Sequence, residues 1–365
     1  MNIENIKIIN FRNYNELKCS FSNKINIFYG LNGSGKTNLV EAIYLLSLTK
    51  SFRLNSDKLL IAKGSTKSVV EGEVTKRSDT SKYRITISSD GKKVEINDNK
   101  IDKISDYVSK INIILYNPSD NELIASAPSI KRKFINIEIS QLHKEYLLIL
   151  SNYNNLLKHR NFYLREMFIN GMSSKEYLDI LTSKLIEYGL LINKYRQKFI
   201  ESINKYISII YKEIFGNGKL FCKYISDYNN KTKEELQKKY PQNFKREIAL
   251  GKTLFGVHHD DIEFILDDSL LKEIGSEGQK KNAIISFKLA ELNVFYEIVE
   301  AYPILILDDL FSELDKEKIE NILMLLNSKV QTFITTTEIN NINKKYLKES
   351  KIFKVENGTI KEETK

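Results

Sequence analysis

The stretch Gly30-Leu31-Asn32-Gly33-Ser34-Gly35-Lys36-Thr37 constrains this chain more than any other. It satisfies the phosphate-loop pattern G-x-x-x-x-G-K-[ST]. An apolar run, Ile25 to Tyr29, precedes it, and Leu39, Val40, Ile43, Leu46 and Leu48 follow at helical steps. A strand turning through glycines into a helix is the context in which such a string binds phosphate. Glycines let backbone amides face the oxygens, and the helix N-terminus adds partial positive charge. Gly30, Asn32, Gly33, Ser34, Gly35 and Asn38 are then expected around ATP. Lys36 neutralises its β- and γ-phosphates, and the Thr37 hydroxyl ligates Mg²⁺. The bland alternative, a glycine-rich turn without ligand, leaves both flanks unexplained.

A second motif lies far downstream. In Ile304-Leu305-Ile306-Leu307-Asp308-Asp309 an apolar run ends in two acids. A strand this apolar is buried on both faces, so its carboxylates emerge at the C-terminal edge of a sheet, where ligands of α/β proteins lie. Asp308 is the expected Mg²⁺ partner, and Asp309 the group that polarises or orients the attacking water. Alone, such a pair fits an ordinary loop; coupled to Lys36, it gains meaning. Ahead of it, Gly275-Ser276-Glu277-Gly278-Gln279 precedes a helical pattern and resembles the signature of ABC-type ATPases. That resemblance implies a head-to-tail dimer, with Ser276, Gly278 and Gln279 of one copy closing on the triphosphate held by Lys36 of the other. Without it, the run is a Gly-Ser loop capping a helix. Ser312-Glu313-Leu314-Asp315 has the spacing of an ABC D-loop, which places Asp315 at the dimer interface. It also fits a helix cap by Ser312 or Asp315.

The motifs are separated by a change in pattern. Ile3, Ile6, Ile8 and Phe11 predict an opening strand. Val69 to Thr75, Tyr83 to Ser89 and Lys92 to Ile96 predict short strands with a hairpin turn at Asp90-Gly91, and Ile111 to Tyr116 another strand. From Pro128, suited to a first helical turn, Ile135, Ile139, Leu142, Tyr146, Ile149, Tyr153 and Leu157 form a heptad-like stripe. Ser173 with Glu176 predicts a capping box for a second helix, striped from Leu178 through Tyr188, Tyr195 and Ile203 to Ile210 and stopping near Gly216. Unbroken helices of about 40 residues would make an antiparallel arm of about 60 Å. The same stripes fit the core of a helical domain. Asp227 to Lys245 is polar and poorly patterned. Strands return at Ile262 to Leu266, Ile304 to Leu307, Phe333 to Thr335 and Ile352 to Val355, with a helix from Gln279 to Val299. Asn357-Gly358 reads as a turn, and Lys361 to Lys365 as frayed. Residues 1–127 and 231–365 are thus expected to build one α/β head, with 128–230 inserted as a helical lobe.

Composition sets the outer bounds. Two cysteines, Cys19 and Cys222, give neither a disulfide framework nor a zinc cluster, and no stretch is apolar enough for a membrane span. A cytoplasmic protein is expected. The formal charge of +9 fits a polyanionic partner, although a chain this rich in Lys, Asn, Ile and Tyr acquires it from genome base composition as readily. His258 and His259, read as consecutive strand residues, would face opposite sides, which argues against a shared metal.

Several runs together resemble the RecF family: Ile9-Asn10-Phe11-Arg12-Asn13-Tyr14, the continuation Asn38-Leu39-Val40-Glu41-Ala42-Ile43-Tyr44, Lys50-Ser51-Phe52-Arg53, Asn117-Pro118-Ser119-Asp120, Gly256-Val257-His258-His259-Asp260-Asp261, and Asp308 to Asp315. The likeness spans nearly the whole chain. It implies an α/β, ABC-type (SMC/Rad50-like) P-loop ATPase head with an inserted α-helical lobe. It also implies ATP-driven dimerisation on double-stranded or gapped DNA, and cooperation with RecR and RecO to load RecA. The chain departs from the family at His259 and Lys281, where arginine is usual. Where ABC proteins place a switch histidine, it has Thr335-Thr336-Thr337, a run the family shares, so slow hydrolysis is expected. Candidate DNA contacts are Arg53, the cluster Lys131-Arg132-Lys133, and the pairs Lys92-Lys93 and Lys245-Arg246. Two rival readings are the ATPase subunit of a membrane transporter and a nucleotide-gated scaffold with negligible catalysis.

Overall fold

In the opening strand, Asn2–Phe11, the inward residues Ile3 and Ile6 are three apart rather than two. A bulge between Ile3 and Asn5, where the register against Lys67–Lys76 shifts, puts both on one face. The computed structural model describes residues 1–171, 174–326 and 329–363. These divide into two units: Met1–Asn121 with Tyr206–Gly218 and Lys281–Lys365, and Glu122–Lys205 with Lys219–Lys280.

The first unit is built on two six-stranded sheets. One is antiparallel, ordered Tyr14–Ser20, Asn2–Phe11, Lys67–Lys76, Asp79–Ser88, Gly91–Ile96, Asn99–Lys100. The other runs Thr359–Glu362, Lys351–Glu356, Ile25–Tyr29, Thr332–Thr336, Ile304–Asp308, Ile113–Tyr116, and is parallel except for its terminal hairpin. Apolar residues of both sheets share one core with the helix Lys36–Leu48, which is buried on nearly every side. Two observations fit this packing. A Cβ on Gly72 would lie 2.8 Å from Leu46 Cδ1, and Phe28 stacks on Phe353 at 5.1 Å between ring centroids. Gln331 joins the two sheets: its amide accepts from Ile3 N at 2.7 Å and donates to Ile3 O and Ser22 O at 2.8 and 2.9 Å.

The second unit holds the helices Pro128–Leu142, Lys144–Asn170 and Lys175–Asn204 and an antiparallel sheet of Leu220–Ile225, Asp261–Leu266 and Ser269–Leu270. Neither long helix runs unbroken as the stripes predict. The first stops at His143 (φ −132°, ψ 103°), and the second ends at Asn204 before a separate helix, Ile207–Phe215, that belongs to the first unit. At about 1.5 Å per residue the longer pieces reach about 40–45 Å, not 60. The cap of the second helix is Ser174, whose hydroxyl accepts from Tyr177 N at 3.3 Å; Ser173 lies outside the described residues.

Inward positions on Lys144–Asn170 include Tyr146, Tyr153, Arg160 and Leu164. The first three keep a seven-residue step, but the third is charged. Arg160 is buried against Glu247 (2.7 Å), Thr182 (2.9 Å) and Thr253 (2.7 Å). Arg196 on Lys175–Asn204 likewise meets Asp260 at 2.7 Å. Buried guanidinium groups need such partners, because an unpaired charge in the interior is costly. The stretch Asp227 to Lys245, read as patternless, contains the helix Lys233–Lys239 opened by a Thr232/Glu235 capping box, and the helix Phe244–Leu250 follows. Residues 219–280 cluster with the helices, so the expected boundary near 230 is not where the units part. Lys361 pairs with Lys354 in the final hairpin rather than fraying, while Thr364 and Lys365 lie outside the described residues.

Candidate nucleotide-binding site

The strand Ile25–Tyr29 ends where the parallel sheet presents its C-terminal edge, and the next residues wrap into the helix Lys36–Leu48. Gly33 (φ 81°) and Gly35 (φ 117°) take backbone conformations that side chains disfavour. Gly30 passes so close to Val355 O that a Cβ would lie 2.3 Å from it. The Lys36 ammonium curls back over the loop, donating to Gly30 O at 2.7 Å and Leu31 O at 3.0 Å. Burial lowers its pKa, against the pull of Asp309 and Asp308.

The acids arrive from two strands away. Asp308 ends Ile304–Asp308 and is buried; its Oδ1 accepts from Thr37 Oγ1 at 3.1 Å and from Thr335 Oγ1 at 2.6 Å. Burial raises its pKa, opposed by those two hydroxyls. Asp309 turns left-handed (φ 53°), which sends its carboxylate out of the strand line, where it accepts from Ser312 Oγ at 2.6 Å. Thr335 also accepts from Asp309 N at 2.9 Å, so one hydroxyl holds both acids. The motifs gave this threonine no such part; its place on the strand between the loop's and that of Asp308, opposite Asp308 in register, was the available sign. Its neighbours turn elsewhere: Thr336 Oγ1 bonds Glu338 O, and Thr337 Oγ1 lies 3.4 Å from Ser312 Oγ.

The loop is backed by a layer of residues to which the phosphate-binding motifs gave no part. Tyr14 donates to Gly35 O at 3.0 Å, and Gly358 N donates to Ser34 O at 3.0 Å. Arg12 pairs with buried Glu41 at 2.8 Å, and Glu41 also accepts from Ser51, whose hydroxyl receives Arg53 N and Leu54 N. Arg53 is thereby held beside the loop, exposed, with Nη1 on Asn38 Oδ1 at 3.2 Å. Asn32 is exposed on the loop, and Ser34 is buried with its hydroxyl unpaired.

Ser276, Gly278 and Gln279 belong to the second unit. Ser276 and Gln279 form a reciprocal cap at the start of the helix Glu277–Val299: Gln279 N donates to Ser276 Oγ at 3.2 Å, and Ser276 N to Gln279 Oε1 at 2.9 Å. All three are exposed. Asp315 caps the helix Lys316–Leu326 by accepting from Lys318 N at 3.0 Å.

The basic candidates separate by burial. Lys131 is 2% exposed, with its ammonium on Ile262 O at 2.9 Å and Asp261 at 3.1 Å, so it cannot meet a phosphate in this fold. Arg132 Nη1 is bound to Asp260 O at 2.7 Å, whereas Lys133 is exposed. Lys92 is paired with Asp57 and Lys93 with Glu95, while Lys245 and Arg246 are exposed. His258 and His259 lie in a short 3₁₀ turn, not a strand, and their rings sit 4.2 Å apart facing the Thr253 carbonyl. Among the described residues no group of three or more His, Cys, Asp or Glu is placed to hold a metal, and no helix is long and apolar enough to cross a membrane.

The model of the RecF/RecN/SMC N terminal domain matches residues 2–361. A protein of Lactobacillus johnsonii named "DNA replication and repair protein RecF" is 38% identical over 99% of both chains. One of the same name from Ligilactobacillus salivarius is 36% identical over 100% of this chain and 98% of that one. A solved structure of "the recombination mediator protein RecF-ATPrS in RecFOR pathway" superposes with a TM-score of 0.91 at 29% identity, covering 100% of this chain and 98% of that one. The Smc head domain of Pyrococcus furiosus, at 16% identity over 99% and 95% of the two chains and a TM-score of 0.56, shares the ABC-type ATPase head fold.

Proposed function

The chain belongs to the RecF family of DNA replication and repair proteins, and from that premise we infer that it is an ATPase whose nucleotide cycle governs its hold on DNA. The observation that carries this reading is the meeting of Lys36, Thr37, Asp308, Asp309 and Thr335 at one sheet edge. The Lys36 ammonium, already partly stripped of water, exchanges two carbonyls for β- and γ-phosphate oxygens. Thr37 and Asp308 offer a hydroxyl and a buried carboxylate, an oxygen donor pair that fits Mg²⁺. When bound there, the ion neutralises charge on the phosphate oxygens. Asp309 takes a proton from water as the water oxygen attacks the γ-phosphorus. The bond to the bridging oxygen breaks, and ADP leaves with the electron pair. The run Thr335-Thr336-Thr337, which stands where ABC proteins place a switch histidine, cannot accept a proton as a histidine would, which fits slow turnover.

Ser276, Gly278 and Gln279 have the chemistry to close on the triphosphate of a second copy, with Asp315 at the same contact. Arg53, Lys133, Lys245 and Arg246 are the candidate cations left exposed for DNA phosphate, and Arg132 follows if its carbonyl partner is released. Double-stranded and gapped DNA are the proposed substrates, RecR, RecO and RecA the proposed partners, and the cytoplasm the proposed location. Light scattering of the full chain with ATP, a non-hydrolysable analogue or ADP tests the cycle. Dimers are expected with the first two only. Asp309→Asn should bind ATP, hold the dimer and lose hydrolysis; normal turnover by that variant removes its assigned role. Dimerisation of Lys36→Arg with ATP at wild-type level would count against the whole scheme.

A further inference from the structure

Separate parts of the chain converge on one carbonyl of the phosphate loop. Ser34 O accepts from Asn13 Nδ2 at 3.3 Å, from the first hairpin, and from Gly358 N at 3.0 Å, from the last. The Ser34 carbonyl and the Gly35 N–H share one planar peptide, so fixing the oxygen fixes the opposite direction, in which that N–H points. Gly35 lacks a side chain to limit its backbone, and at φ 117° it occupies a region where outside restraint matters most. Asn13 is itself held. Its Oδ1 accepts from Asn38 Nδ2 at 2.8 Å, and Asn38 Oδ1 accepts from Arg53 Nη1 at 3.2 Å. Every donor points the same way, from an exposed guanidinium through two carboxamides to the loop, an arrangement in which each bond polarises the next.

The surroundings are cut to fit that carboxamide. A Cβ on Gly35 would lie 2.6 Å from Asn13 Nδ2, and one on Gly358 would lie 2.3 Å from Asn13 O. Asn13 is exposed, so it adds little to the core. A side chain that spends both ends of its amide on the loop's support, at the surface, is placed for the loop's geometry rather than for folding.

We propose that Asn13 is a positioning residue that aims the Gly35 N–H at bound phosphate, and that Asn38 and Arg53 influence nucleotide affinity through it. The proposal rests on the nucleotide reading of the same loop. Equilibrium titration of the full chain with ATP and with ADP, in Mg²⁺, tests it on Asn13→Ala, Asn38→Ala and the double variant. Asn13→Ala should weaken both nucleotides about tenfold and equally, and Asn38→Ala about threefold. The double variant should be no weaker than Asn13→Ala alone. A direct contact of Asn38 with the nucleotide would instead survive and multiply. Wild-type affinity in Asn13→Ala, or multiplying effects in the double variant, overturns the proposal. Failure of the unsubstituted chain to bind either nucleotide refutes the nucleotide reading itself. Melting temperature without nucleotide checks the fold. Should Asn13→Ala not fold, Asn13→Gln carries the test, because it adds no charge but moves the donor off Ser34 O by one methylene: a threefold or greater loss for both nucleotides supports the proposal, and none overturns it.

Discussion

Thr335→Val removes one hydroxyl and keeps the shape of a fully buried side chain, so its effect isolates the bonds that hold the two acids. In the folded chain that hydroxyl donates to Asp308 Oδ1 at 2.6 Å and accepts from Asp309 N at 2.9 Å. The first is a hydrogen bond to a buried carboxylate, for which a loss of about 1.5–3 kcal/mol is expected. The second adds less, because it is only partly buried and its acceptor is a neutral hydroxyl. The cost depends on pH in a defined direction. Burial raises the pKa of Asp308 above its unfolded value, so its ionisation weakens the fold as pH rises through the folded pKa. The Thr335 hydroxyl offsets part of that cost only while Asp308 is charged. The Val variant should therefore show its full deficit at neutral pH and a smaller one as Asp308 protonates in acid. Urea unfolding of both chains across that range reads the difference, with Thr335→Ser as a control that loses about 1 kcal/mol for a methyl group at every pH. A deficit below about 0.5 kcal/mol at neutral pH, or one that does not change with pH, would refute the assignment.

Gln331→Leu should cost about 2–5 kcal/mol, because it leaves Ile3 N and O buried without partners; urea unfolding with an unchanged m-value checks it. His258, pushed down to about 4 by burial, stays neutral in the fold while the unfolded chain takes a proton below about 6.5. Stability should thus fall as pH drops from about 6.5 towards 4, and His258→Gln should flatten that slope in a melting-temperature series.

How far the sequence disclosed the fold depended on whether a feature repeats along the backbone. Strands that alternate, and the buried run ending in Asp308, were legible because burial on one or both faces leaves a pattern in residue type. The helices of the second unit were legible as stripes but not as lengths. His143 and Lys205 sit inside apolar periodicity and carry no Pro or Gly to announce a stop. Arg160 and Arg196 face inward at helical spacing, yet a charge reads as solvent-facing until its partners, Glu247 and Asp260, are brought alongside. For the same reason Lys131 passed for a surface cation.

At the site, the motif supplied Lys36, Thr37, Asp308 and Asp309, since phosphate chemistry restricts which residue types can stand there. It did not supply what orients them. Thr335-Thr336-Thr337 read as one run because sequence gives three identical residues one meaning. In the strand Thr332–Thr336 alternation turns Thr335 to Asp308 and Thr336 the other way, to the Glu338 carbonyl, while Thr337, just past the strand's end, lies towards Ser312. Asn13 was likewise visible only as a member of a family run, because its partners, Ser34, Asn38 and the Gly358 turn, come from both ends of the chain. Residues that touch a ligand are constrained in type and can be read. Those that aim them are constrained mainly by position, and position is known only once the strands are side by side.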